Sequence, residues 1–76
     1  MPRYFFNVHN VEPSTDVSGE ELPDDEAAWR TATTFAGDLF KDIDGNLRPG
    51  QHWSLEVTND KQENLFCIKI ETSKAP

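Results

Sequence analysis

Basic residues are scarce in this chain of 76 residues: Lys and Arg number 7 against 14 Asp and Glu, a net charge of −7. Nucleic acids and anionic membranes are bound largely by neutralising phosphate charge, so neither is expected as a direct partner. Cysteine is scarcer still. The single Cys67 excludes an internal disulfide framework and a cysteine-based metal cluster. No apolar run reaches the length of a secretion signal or a membrane span, which points to a cytoplasmic location. Glycine is sparse, at 4 residues, and the chain has no Gly-rich phosphate-cradling loop.

Aromatic residues, by contrast, make up 11% of the chain, with 5 Phe and 2 Trp among them. A chain of this length forms one small domain, here residues 1–76 with 72–76 as a frayed tail, and it buries only about 60% of its unfolded surface. Dimerisation is a common remedy for so small a core.

The opening RYFFNVH alternates as a strand, with Tyr4, Phe6 and Val8 on one face and Arg3, Phe5, Asn7 and His9 on the other. Parity therefore expels Phe5 from the core that takes Tyr4 and Phe6. A turn-rich stretch around Pro13 follows, and Val17 to Leu22 reads as a short returning strand with a bend at Gly19. At LPDDEAAW, Asp24 is a helix N-cap, with Asp25 and Glu26 beside the positive helix end. Ala28, Ala32, Phe35, Ala36, Leu39, Phe40 and Ile43 recur at three- and four-residue steps, forming one apolar stripe with Trp29 at its edge. Gly45 marks the stop. Two further alternating segments, His52 to Thr58 and Leu65 to Glu71, flank the polar turn of a hairpin.

These patterns predict an α+β fold in β-β-α-β-β order, one amphipathic helix packed on one face of a small antiparallel sheet. Trp53, Leu55, Val57, Phe66, Ile68 and Ile70 join the covered face, each large side chain contributing about 1.5–3 kcal/mol. Nothing in the chain is left over to cover the opposite face.

Candidate chemistry is thin. His9, His52 and Cys67 share the outer face by parity, but zinc asks for a closely spaced ligand pair that none of them supplies. Asp42, Asp44 and Asn46 imitate the start of a calcium loop, which then requires Gly and Glu where Leu47 and Trp53 stand. Cys67 with an imidazole is the one conceivable nucleophile pair, and the short strands leave no walls for a pocket. The expectation is a protein without enzymatic activity, metal or cofactor.

Two surfaces stand out instead. The outer sheet face offers Phe5, Leu65 and Cys67 as an apolar centre with Arg3, His9, His52 and Lys69 as its rim, suited to a protein partner or a homodimer. The alternative is an acidic patch, Glu12, Asp16, Glu20, Glu21, Asp24, Asp25 and Glu26, uninterrupted by any cation, which would suit a regulator or nucleic-acid mimic docking on a basic partner.

MPRYFFNVHN at the start, ELPDDEAA at the helix opening and WSLEVTND before the last strand together resemble a family of small bacterial proteins. These are the uncharacterised "PRYFF…ELPD.EAA" domain proteins common in rhizobia and related alphaproteobacteria. The resemblance covers nearly the whole chain. It implies a bacterial cytosolic domain with the order strand, loop, helix, hairpin, and it carries no activity, cofactor or catalytic residue. The chain departs from the pattern at Asn7, where His or Asp is frequent, and in a longer turn from Lys61 to Asn64.

Overall fold

A computed structural model describes residues 1–10, 14–41 and 47–75. Within them lie strands β1 (Arg3–His9) and β2 (Glu20–Glu21), helix α1 (Asp25–Lys41), and strands β3 (His52–Asn59) and β4 (Asn64–Glu71). The sheet is antiparallel throughout, in the order β2-β1-β3-β4, and α1 packs over β3 and β4. The fold is the α+β arrangement that the alternation predicts. The predicted second strand shrinks to two residues.

The reason for that shrinkage is a loop that pairs with β1 by other means. Val8 and Ser14 exchange both backbone bonds at 2.9 Å, and the Leu22 amide donates to the Pro2 carbonyl. Between them the Phe6 amide donates to Oδ2 of Asp16, so a carboxylate stands where a neighbouring strand would offer a carbonyl. Oδ1 of Asp16 accepts from the amides of Ser18 and Gly19, and the Asp16 amide donates to Oδ1 of Asn7. Burial pushes the Asp16 carboxyl up, but the amides of Gly19, Phe6 and Ser18 and the Arg3 guanidinium outweigh it and hold it below the usual aspartate value.

The core comprises Tyr4, Phe6, Ala28, Ala32, Ala36, Leu39, Leu47, Trp53, Leu55 and Val57. Asp24 caps α1 as expected, its Oδ1 accepting from the Ala27 amide at 2.9 Å. The buried stripe of the helix is narrower than predicted: Ala28, Ala32, Ala36 and Leu39 go in, while Phe35 and Phe40 stay 43% and 56% exposed. Three alanines bring the helix close to the sheet, leaving the bulky residues at the stripe's margins to project along its flanks. Ile43, the Gly45 stop and the calcium-loop lookalike at 42–46 lie outside the described residues.

Candidate interaction surfaces

On the outer sheet face the register aligns Arg3 with Glu21, Phe5 with Thr58, Asn7 with Glu56 and Cys67, and His9 with Ser54 and Lys69. Most of these side chains are polar. His9 Nε2 lies 3.5 Å from Glu56 Oε2, and Arg3 pairs with Glu21 at 3.1 Å. His9, His52, Glu56, Lys69 and Glu71 rim an open hollow of about 410 Å³ that does not include Cys67. Cys67 is exposed and registers with Glu56, not with either imidazole. Among the described residues no three His, Cys, Asp or Glu side chains converge as metal ligands.

Two features depart from the expected apolar centre of this face. The first concerns Leu65. The ladder pairs Val57 with Phe66 but Thr58 with Asn64, so Leu65 is the extra residue of a β-bulge. The bulge breaks strict alternation, and Leu65 packs against the core cluster beside Phe66. The second concerns Phe5, which is half-buried because the loop after Asp16 lies over it. Gly19, at φ +72°, comes so close that a Cβ built there would stand 2.9 Å from Phe5 Cε1 and 2.8 Å from Arg3 Cγ. The chain therefore does cover part of its own outer face.

The acidic segment is likewise partly occupied. Asp16 turns inward as the loop clamp, Asp24 caps the helix, Asp25 accepts from Tyr4, and Glu21 pairs with Arg3. Glu20 and Glu26 are exposed, and Glu12 lies outside the described residues.

The surface that sequence patterning missed is the pair of helix flanks. On the β1 side, Phe35 overhangs an open groove of about 480 Å³ with Val8, Leu39 and Trp53 beneath it. On the β4 side, Trp29 is 40% exposed and packs on Phe66 with ring centroids 5.3 Å apart and planes tilted by 52°. Phe40 follows Trp29 by about three helical turns, which returns it to the same flank. The signal was available: the apolar stripe carried more large residues than one sheet face could cover.

No helix among the described residues is long and apolar enough to cross a membrane. No curated protein and no solved structure gives a significant match to the chain. A family model described as a domain of unknown function matches residues 3–71, which takes in all four strands and the helix. The chain belongs to that family, DUF6894.

Proposed function

We propose that the chain is a non-enzymatic accessory protein of the bacterial cytoplasm that works through protein contacts, self-association included. The observation that carries this reading is the exposed aromatic surface along α1: Trp29, Phe35 and Phe40 on a domain this small leave apolar area that a partner would cover. The two titrations displaced among the described residues support it, because both serve the fold: Tyr4 is tied to Asp25, and Asp16 clamps the loop. Contact through the outer sheet face, with Phe5, Leu65 and Cys67 at its centre, has less to offer than the helix flanks. Leu65 joins the core and Phe5 lies beneath Gly19.

A second reading keeps the acidic segment as a dock for a basic partner, favoured by exposed Glu20, Glu21, Asp24, Asp25 and Glu26 at the helix entrance. Salt separates the two. Immobilised chain should capture its partner through the aromatic surface at high ionic strength, and Trp29→Ser with Phe40→Ser should abolish capture. Capture that disappears with salt and ignores those substitutions would transfer the role to the acidic segment. Turnover of a small-molecule substrate would overturn the non-enzymatic reading.

A further inference from the structure

The sheet has two outer edges, and they are built differently. Along β1, residues Pro2, Phe6 and Val8 use their outward backbone groups on Leu22, Asp16 and Ser14. The odd-numbered residues Phe5, Asn7 and His9 therefore face Thr58, Glu56 and Ser54 of β3. Antiparallel alternation then turns Trp53, Leu55 and Val57 toward Ile70, Ile68 and Phe66 of β4. The N–H and C=O groups of Cys67 and Lys69 consequently point away from the sheet. Among the described residues no strand lies beyond β4.

Beside this edge runs an apolar band. Phe66, Ile68 and Ile70 are only half-buried, unlike their fully buried partners on β3. Above them the flank of α1 presents Trp29, Thr33, Ala36 and Phe40 at four-, three- and four-residue steps, one seam of a helix. Tyr4 meets Asp25 and Trp29 meets Phe66 near the start of β4, whereas Leu39 lies with Trp53 near its end, so α1 runs in the direction of β4.

Resting on the interaction reading above, we propose that the partner on this edge is a second copy of the chain. Its β4 pairs antiparallel with the first about a two-fold axis at Ile68, giving one continuous sheet with both α1 helices side by side.

Backbone pattern, side chains and helix spacing agree on that register. With the axis at Ile68, Cys67 exchanges bonds with Lys69 of the second copy and Lys69 with its Cys67, so the outward groups meet each other. Ile68 faces itself at a non-hydrogen-bonded position, where cross-strand side chains come closest, and Phe66 faces Ile70 on both sides of the axis. Shifting the axis to Lys69 would oppose two ammonium groups. Shifting it to Cys67 would set Ile70 against Asn64, and shifting it to Ile70 would set Phe66 against Lys74 beyond the strand.

The helices fit as well. Because α1 lies over both β3 and β4, the two helix axes stand two strand spacings apart, roughly 9–10 Å, which falls at the ordinary distance of packed helices. The two-fold brings small Thr33 and Ala36 together at the middle of the seam. Trp29 then reaches toward Phe40 of the second copy at each end.

Self-association here is apolar and opposed by the net charge of −7 on each copy, so salt should tighten it. The test is sedimentation of the full chain from micromolar to millimolar concentration at low and high salt, with circular dichroism confirming that each variant is folded. A monomer–dimer equilibrium that tightens with salt is expected. Phe40→Glu, at a site already exposed, and Lys69→Pro, which removes an N–H that no ladder bond uses, should each weaken it by about tenfold or more. Ile68→Cys in a Cys67→Ser background should form a disulfide-linked dimer on mild oxidation. A chain that stays monomeric at millimolar concentration in high salt overturns the proposal, as does a dimer indifferent to both substitutions. Cross-linking through native Cys67 but not through Ile68→Cys overturns the register. A monomer that still captures another protein through Trp29 and Phe40 ends the self-pairing while leaving the interaction reading intact. A monomer whose aromatics capture nothing ends both.

Discussion

Tyr4 donates its phenolic hydrogen to Oδ1 of Asp25 across 2.7 Å, joining the second residue of β1 to the first residue of α1. Tyr4 is 1% exposed whereas Asp25 is exposed, so the bond ties the buried side of the sheet to the helix entrance at the surface. The hydrogen bond to Asp25, then burial, then the charges of Asp25, Asp24 and Asp60 push the phenol up from 10.0 to about 12. As the only tyrosine in the chain, it reports directly in a phenolate absorbance titration. Neutral Tyr4 is favoured in the folded state, so its contribution to stability is complete below pH 10.0 and is lost as pH rises toward about 12. Asp25→Asn should return the titration toward 10.0 and move alkaline unfolding to lower pH. A titration already at the lower value in the native protein would count against the bond.

Asp16 should be the most costly surface-loop residue to remove. Its carboxylate accepts from the amides of Phe6, Ser18 and Gly19, and charge-assisted bonds of this kind carry about 1.5–3 kcal/mol. Asp16→Ala should lower stability by about that amount in urea unfolding and expose the Phe6 amide to hydrogen exchange. Because the folded value lies below the unfolded one, this contribution is present above about pH 4 and fades as pH falls through the lowered value.

Two glycines should respond to alanine with opposite signs. Gly19 holds φ +72° and has Arg3, Phe5 and the Tyr4 carbonyl within 3.0 Å of where a Cβ would be. Gly19→Ala should cost about 1–3 kcal/mol and lift the loop from Phe5. Gly37 lies on the exposed side of α1 with nothing within 4 Å of the added carbon, so Gly37→Ala should stabilise by about 0.5–1 kcal/mol. Thermal unfolding of the pair resolves both signs.

Leu47 is 4% exposed in the core although it follows the helix as part of a connection. Leu47→Ala should cost about 2–5 kcal/mol, as a core leucine does. A loss under 1 kcal/mol in equilibrium unfolding would mean that the site collapses around the smaller residue or that Leu47 does not fill it.

The element order was legible because its signals are local. Alternation in RYFFNVH and HWSLEVT, the Asp24 cap and the apolar steps of α1 each lie within a few residues. What escaped was set by partners distant in sequence. Leu65 turns to the core because of a bulge defined against Val57 and Thr58, which parity within one strand cannot show. Phe5 is half-covered because Asp16 finds the Phe6 amide, a contact between residues that looked like a solvated acid and an anonymous strand position. The fate of Phe35 and Phe40 depended on how close the alanines let the helix settle. Leu47 carried no periodic signal, since it belongs to neither strand nor helix. Within the acidic segment the Asp24 cap was legible, whereas the roles of Asp16 as clamp and Asp25 as anchor depend on Phe6 and Tyr4, distant in sequence.

The carboxylate that occupies the missing strand position beside Phe6 has a consequence for how far assembly can run. A sheet that can grow from one edge pairs once and stops, because pairing consumes the edge that made it possible. A sheet that can grow from both has no stopping point. Asp16, together with β2 and the Ser14 bridge, thus caps the β1 edge, and it is the titratable part of that cap. For chains paired through β4 as proposed, acidification that neutralises Asp16 should loosen the cap at the Phe6 amide and favour growth beyond the pair. Fibres or turbidity appearing only at strongly acid pH, and appearing at neutral pH with Asp16→Ala, would be its signature.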